Sequence, residues 1–247
     1  MSVLNIIDQL EAAALNAWPA FQQVLADGWL VRFADGYTKR ANSVNLLYPT
    51  TPPDDDLIAW CEQLFRKQNL PPIFRIVERS ETQRLDTLLD QRGYQLRDRS
   101  VVMSCDEASL VLPTTSHKEI TTLSLDEWFL LFCQLSHTSE HTQHTHRRIL
   151  EHIVPPCLFA TIVDEGQPVA CGMCVLERTY CGFFDIVTHA DYRGRGYGTQ
   201  LMSGMVVWAR EHGAQNFYLQ VVEENVPARH LYHKLGFRDT YHYWYRM

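Results

Sequence analysis

Residues 193–198 read Arg-Gly-Arg-Gly-Tyr-Gly, three glycines and two guanidinium groups within six positions. Glycine takes left-handed or closely approached backbone conformations, so a ligand can come within hydrogen-bonding distance of main-chain N–H groups. A cationic loop of this kind suits an anion. Where it opens a helix, the first-turn N–H groups and the helix dipole both favour phosphate or pyrophosphate.

The elements that must position this loop are read from its flanks. Residues 157–190 hold three apolar, β-branched or aromatic runs separated by turn signals at Asp164–Gly166 and Glu177–Thr179, which predicts a three-stranded antiparallel meander. The loop follows it. Apolar residues at 201, 202, 205, 206, 208 and 209 then predict an amphipathic helix ending at Gly213. A strand over 216–222, a short helix over 226–236 with Pro227 in its first turn, and an aromatic last strand complete the order β-β-β-loop-α-β-α-β. That order selects among anion-binding motifs. A dinucleotide fold requires G-x-G-x-x-G between parallel strands, and a nucleotide P-loop requires G-x-x-x-x-G-K-[ST]; neither is present here.

The 247 residues are 46% hydrophobic and 21% charged, with a net charge of −7, which fits a globular protein and gives no general basic surface for nucleic acid. No apolar stretch reaches the ~18 residues of a membrane helix. The first 18 residues look helical and acidic and lack the features of a signal peptide, so a cytoplasmic protein without membrane or nucleic-acid partners, monomer or homodimer, is expected. Seven scattered cysteines argue against disulfides.

Together, the loop with the following "LM", "WAREHGA", "LQVVEENVPARHLYHKLGF" and the aromatic last strand make residues 118–247 resemble the GNAT superfamily of N-acetyltransferases. The resemblance implies an α/β fold with a mixed, mostly antiparallel central sheet flanked by helices. It implies acetyl-CoA as co-substrate, no metal, and transfer of an acetyl group by direct attack of a primary amine of a small molecule or peptide. Carried over by residue, the pyrophosphate loop is Arg193, Gly194, Arg195, Gly196, Tyr197 and Gly198 with Thr199, and the splayed strand end that pairs with the pantetheine arm is Ile186, Val187 and Thr188. The asparagine near the cofactor falls on Asn225, and the tyrosine that protonates the departing thiolate falls on Tyr232. A main-chain N–H at 187 or 188 is suited to the developing oxyanion. The attacking amine must be neutral, and Asp185, then Glu223, are the candidate bases, with a water relay as the alternative. Gln220 stands where ribosomal-protein N-terminal acetyltransferases carry glutamate. A longer acyl-CoA, or coenzyme A binding without turnover, are the other readings; retention of Arg193, the glycines, Asn225 and Tyr232 favours activity.

Other features have plainer readings. Cys171 and Cys174 lie three apart in a strand and so on opposite faces, as core thiols. Residues 137–152 hold five histidines, with 137, 141 and 144 on one face if helical; a polar helix end or loop is expected in preference to a metal site, and the family resemblance implies that this segment covers the acceptor amine. Residues 28–49 predict a hairpin around Asp35-Gly36.

The first half reads as a second copy of the same architecture. At an offset of 143, residues 56–69 fall on the helix after the loop, 73–77 near the next strand, 85–93 on the short helix, and 43–49 on 186–192. This divides the chain into a degenerate unit (1–105), a linker (106–117) and a catalytic unit (118–247). Positions 50–55, Thr-Thr-Pro-Pro-Asp-Asp, replace the glycine loop, Leu89 replaces Tyr232 and Thr82 replaces Asn225, so the first unit is expected to bind no coenzyme A.

Overall fold

The computed structural model describes residues 6–48, 52–113 and 119–247. The first half runs α1 (Ile6–Ala17), β1 (Gln22–Ala26), β2 (Trp29–Phe33), β3 (Val44–Leu46), α2 (Asp55–Lys67), β4 (Phe74–Val77), α3 (Ser80–Gln91) and β5 (Leu96–Asp106). The second runs β6 (Thr121–Thr122), α4 (Leu125–Ser136), α5 (Glu140–Glu151), β7 (Cys157–Asp164), β8 (Gln167–Glu177), β9 (Tyr180–Thr188), α6 (Tyr197–Glu211), β10 (Asn216–Val222), α7 (Val226–Lys234) and β11 (Arg238–Arg246). From β7 onward this is the predicted β-β-β-loop-α-β-α-β order, and β1 to β5 repeat it.

The eleven strands of the described residues form one sheet in the order β1-β2-β3-β4-β11-β5-β10-β9-β8-β7-β6. It is antiparallel except where β3 meets β4 and β9 meets β10. The closing strands are exchanged between halves: β5 pairs with β10 (Asp106 opposite Asn216), and β11 pairs with β4 (Tyr243 opposite Val77). Residues 114–117 of the sequence-derived linker lie outside the described residues.

Alternation along the strands feeds two cores. In β9, Phe183 packs with Leu201, Met205 and Phe217 under α6, whereas Phe184 packs with Trp18, Trp128 and Tyr218 on the opposite face, under α1, α4 and α5. Cys174 joins the first core and Cys171 the second. A third core beneath α2 and α3 gathers Ile58, Phe65, Leu85 and Leu89 around Trp29 and Phe74. A buried Arg75–Glu11 ion pair, to which Tyr241 adds a 2.5 Å hydrogen bond, ties α1 to β4 and β11.

One reading of the sequence is extended and two are corrected. The β2–β3 hairpin exists, but ten residues separate its strands, and a further strand, β1, folds onto β2 through Asp27-Gly28, both at positive φ as a two-residue hairpin turn requires. His137, 141 and 144 do not share a helix: His137 ends α4 in a left-handed conformation and α5 starts at Glu140. The offset of 143 also fails at β3. Phe74 pairs with Val44 and Phe217 with Cys181, so β3 stands 137 residues from β9, and the first half is shorter between strand and helix. Thr50 and Thr51, within that connection, lie outside the described residues.

Candidate active site

Parallel pairing of β9 with β10 runs from Tyr180–Asn216 to Phe183–Leu219 and stops. Beyond it β9 stays with β8 as far as Thr188, while β10 stays with β5 as far as Val222. The strands therefore diverge, leaving the inner edge of 185–188 without a strand partner among the described residues. This edge runs through a short helical turn, Ala190–Tyr192, into the glycine loop. Gly194 and Gly196 have φ of +75° and +85°, values that side-chain-bearing residues avoid, and Gly196 caps α6. Gly198 serves a different need: a Cβ there would lie 3.0 Å from Leu231 Cδ1 of α7.

These elements enclose a cleft of about 640 Å³. It is lined by Ile186, Val187, Thr188, Arg193, Gly194, Gly196, Tyr197, Gly198, Thr199, Asn225 and Tyr232, together with Tyr192 and the first turn of α7. Of the cofactor-contacting set read from the sequence only Arg195 is outside this lining, and its guanidinium lies 5.1 Å from the Tyr192 ring at the mouth. Arg193 donates from Nε to the Thr188 carbonyl (3.3 Å), and the Tyr197 hydroxyl donates to Asp164. The Asn225 side chain accepts from Ala228 N–H (3.3 Å), which starts α7 and so sets the position of Tyr232. Tyr232 is 8% exposed, and burial pushes its hydroxyl up to about 12, so it stays protonated at physiological pH. The exposed guanidinium groups, the unpaired edge and the first-turn N–H groups of α6 make a shape and charge that fit a pyrophosphate with a long amide-bearing arm.

Glu223 is not brought to this cleft. Its carboxylate lies 3.1 Å from Arg99 Nε and 3.6 Å from His242 Nε2, in a surface ion-pair group between β10, β5 and β11 that engages both of its oxygens.

Asp185 sits where β9 bulges. Met173 pairs with Phe184 but Cys171 with Val187, an extra residue on β9, and Asp185 absorbs it at φ +51°. Its Oδ2 is 2.8 Å from His146 Nε2, and the His146 side chain is 0% exposed. The imidazole is boxed by Trp18, Tyr37, Phe129 and Phe132, with ring centroids 5.1–5.5 Å away. Of the five histidines in 137–152, His146 is the one turned inward, whereas 141 and 144 are exposed. The signal for it is its place beside Thr145, Ile149 and Leu150, the other buried positions of α5.

Solved structures share this architecture. A GCN5-related N-acetyltransferase from Kribbella flavida superposes with TM-score 0.74 at 15% identity, covering 99% of this chain and 96% of its own. A tandem GNAT protein from the clavulanic acid biosynthesis pathway gives TM-score 0.67 at 12% identity, over 96% of this chain and 86% of its own. The fold is that of GNAT acetyltransferases. In sequence, an uncharacterized N-acetyltransferase of Bacillus subtilis, YobR, is 32% identical over 99% of both chains. Residues 5–246 match the family model described as probable histone acetyltransferase Rv0428c, C-terminal, so the chain belongs to that family of GNAT N-acetyltransferases and is an acyltransferase.

Proposed function

We propose that the protein is an acetyl-CoA-dependent N-acetyltransferase acting on a primary amine, with the cleft between β9, α6 and α7 as its coenzyme A site. The observation that carries this reading is the unpaired β9 edge running directly into a positive-φ glycine loop that opens a helix, with a buried phenol in the same cleft. Acetyl-CoA supplies the activated acyl carbonyl. The loop and the first turn of α6 hold the pyrophosphate, and the edge at 186–188 pairs with the pantetheine arm. Main-chain N–H at Val187 or Thr188 donates to the thioester oxygen. Tyr232 donates its proton to the departing sulfur, and Asp185, held by His146, takes the proton of the attacking amine.

The chain is read as two units that trade closing strands, 1–105 and 118–247, of which only the second takes coenzyme A. Three features of the first support this. Asp54 already caps α2 through Leu57 N–H (2.9 Å), with Asp55 and Asp56 beside it, so three carboxylates stand where a phosphate would approach. Pro52 and Pro53 offer no N–H. At the end of β3, Arg79 donates to the Leu46 and Leu47 carbonyls and pairs with Asp8, using the edge that a pantetheine arm would need.

The test is thiol release from acetyl-CoA across amino acids, polyamines, aminoglycosides and peptides, comparing wild type with Tyr232→Phe. The variant should lose about 10²-fold or more in kcat while acetyl-CoA affinity is kept. Equal turnover removes Tyr232 from the mechanism.

A further inference from the structure

Asp185 is not the only charged group on the face of β9 away from α6. Arg40, in the turn Lys39–Ala41 between β2 and β3, places its guanidinium 5.2 Å from the Trp18 ring and 5.8 Å from the ring of Phe184, the neighbour of Asp185. It is half-buried, its Nε is buried without a hydrogen-bond partner, and among the described residues no carboxylate pairs with it. Several other arginines do have a carboxylate partner: Arg75 has Glu11, Arg79 has Asp8, Arg92 has Asp55 and, from β11, Arg246 has Asp86.

The ground behind Arg40 is cationic as well. A cavity of about 10 Å³, room for about one water, lies among Arg40, Arg75, Glu11, Asn45 and Gln220. Asn45 Oδ1, Arg75 Nε and Gln220 Nε2 are buried there without partners. Arg32, fully buried, donates to the carbonyls of Arg40, Leu15 and Trp18; burial, then the charge of Arg75 with a smaller part from Arg40, pushes it down to about 10. Three guanidinium groups thus face one carboxylate, Glu11, in a chain whose net charge is −7. Tyr37 links this region to Asp185. Burial and then Asp185 push its hydroxyl up while Arg40 pulls it back, so it stands within the field of both.

A negative and a positive group therefore flank the same rings: Asp185, through His146, lies beside Trp18 and Tyr37, and Arg40 lies over Trp18 and Phe184. We infer that the acceptor carries a carboxylate beside its primary amine, the amine meeting Asp185 and the carboxylate meeting Arg40: a free amino acid or similar small amino carboxylate. A polyamine, or the lysine of a basic peptide, would bring further positive charge against three arginines. A neutral amine would leave Arg40 half-buried and unmatched. The inference rests on the acetyl-transfer reading of the neighbouring cleft.

The test measures thiol release from acetyl-CoA with the twenty L-amino acids, their carboxamides, spermidine and a lysine-containing peptide. The best free amino acid should exceed its carboxamide by at least about tenfold in kcat/KM, the worth of one charge-assisted contact, and should exceed spermidine. Arg40→Gln should raise KM for the acid about tenfold and bring the acid-to-amide ratio near one, with Arg40→Lys restoring part of it. Equal use of acid and amide by the wild type, preference for spermidine or the peptide, or an unchanged ratio in a folded Arg40→Gln protein overturns the inference. The wild-type ratio decides it even if the variant does not fold. Binding of acetyl-CoA without turnover of any amino acid overturns this acceptor assignment alone, whereas failure to bind acetyl-CoA overturns the acetyl-transfer reading beneath it.

Discussion

Exchange of Asp185 for asparagine separates chemistry from folding. The residue holds φ +51°, and asparagine is among the few non-glycine residues that tolerate this region, so the bulge should survive. The buried His146 Nε2, 2.8 Å from Oδ2, can donate equally to an amide oxygen. What changes is the class of bond, from charge-assisted to neutral, a difference of about 1 kcal/mol. For a chain of this size that lowers Tm by about 2–4 °C. Activity should respond on another scale: loss of a general base typically costs about 10²–10⁴-fold, or about 2.7–5.4 kcal/mol of barrier. The assay pairs thermal melts with kcat/KM for thiol release, using the best acceptor found. Asp185→Ala, which adds about 1–2 kcal/mol of left-handed strain, should be both inactive and visibly less stable. Turnover of Asp185→Asn within about threefold of wild type, on a scale where a base is worth 10² or more, would refute the assignment of the base.

Two further outcomes follow from the structure. Gly196→Ala should cost about 1–2 kcal/mol of stability through its φ of +85° alone, because its Cβ would meet nothing closer than Gln200 Nε2 at 3.9 Å; calorimetry should also show weakened acetyl-CoA binding. Burial raises the Glu11 carboxyl, but the charge and hydrogen bonds of Arg75, with the bond from Tyr241, hold it net below the usual range. Its stabilisation is therefore complete above the unfolded carboxylate value of about 4.3 and is lost as pH falls through the lower folded value. Glu11→Gln should cost about 3–5 kcal/mol at neutral pH by stranding Arg75. Melting curves taken from neutral to about pH 3 should fall more steeply for wild type than for the variant.

The glycine loop was legible because its chemistry is local: φ values near +80° at 194 and 196 and close packing at 198 demand glycine whatever surrounds them. The order of elements after Cys157 was legible for the same reason, through period and turn residues such as Glu165-Gly166, both at positive φ. What escaped was set by distant contacts. No local pattern announces that β5 and β11 change places, since the partners β10 and β4 lie far from them in sequence. His146 read as one of a polar run because its burial depends on Trp18, Tyr37 and Phe132 from three other segments. Glu223 is the second candidate base in the sequence, and Arg99 and His242, whose ion pairs engage it, come from other strands. The offset of 143 carries Phe74 of β4 onto Phe217 of β10 but fails at the connection before α2, whose length no local pattern announces.

The most direct test of the central claim is hydrogen exchange of the full chain with and without acetyl-CoA. Protection is predicted at the amides of 186–188 and 194–199, the unpaired edge and the loop that opens α6. Protection at 46–48 or 54–57 instead, or none at any of these amides, would contradict a single coenzyme A site in the second unit.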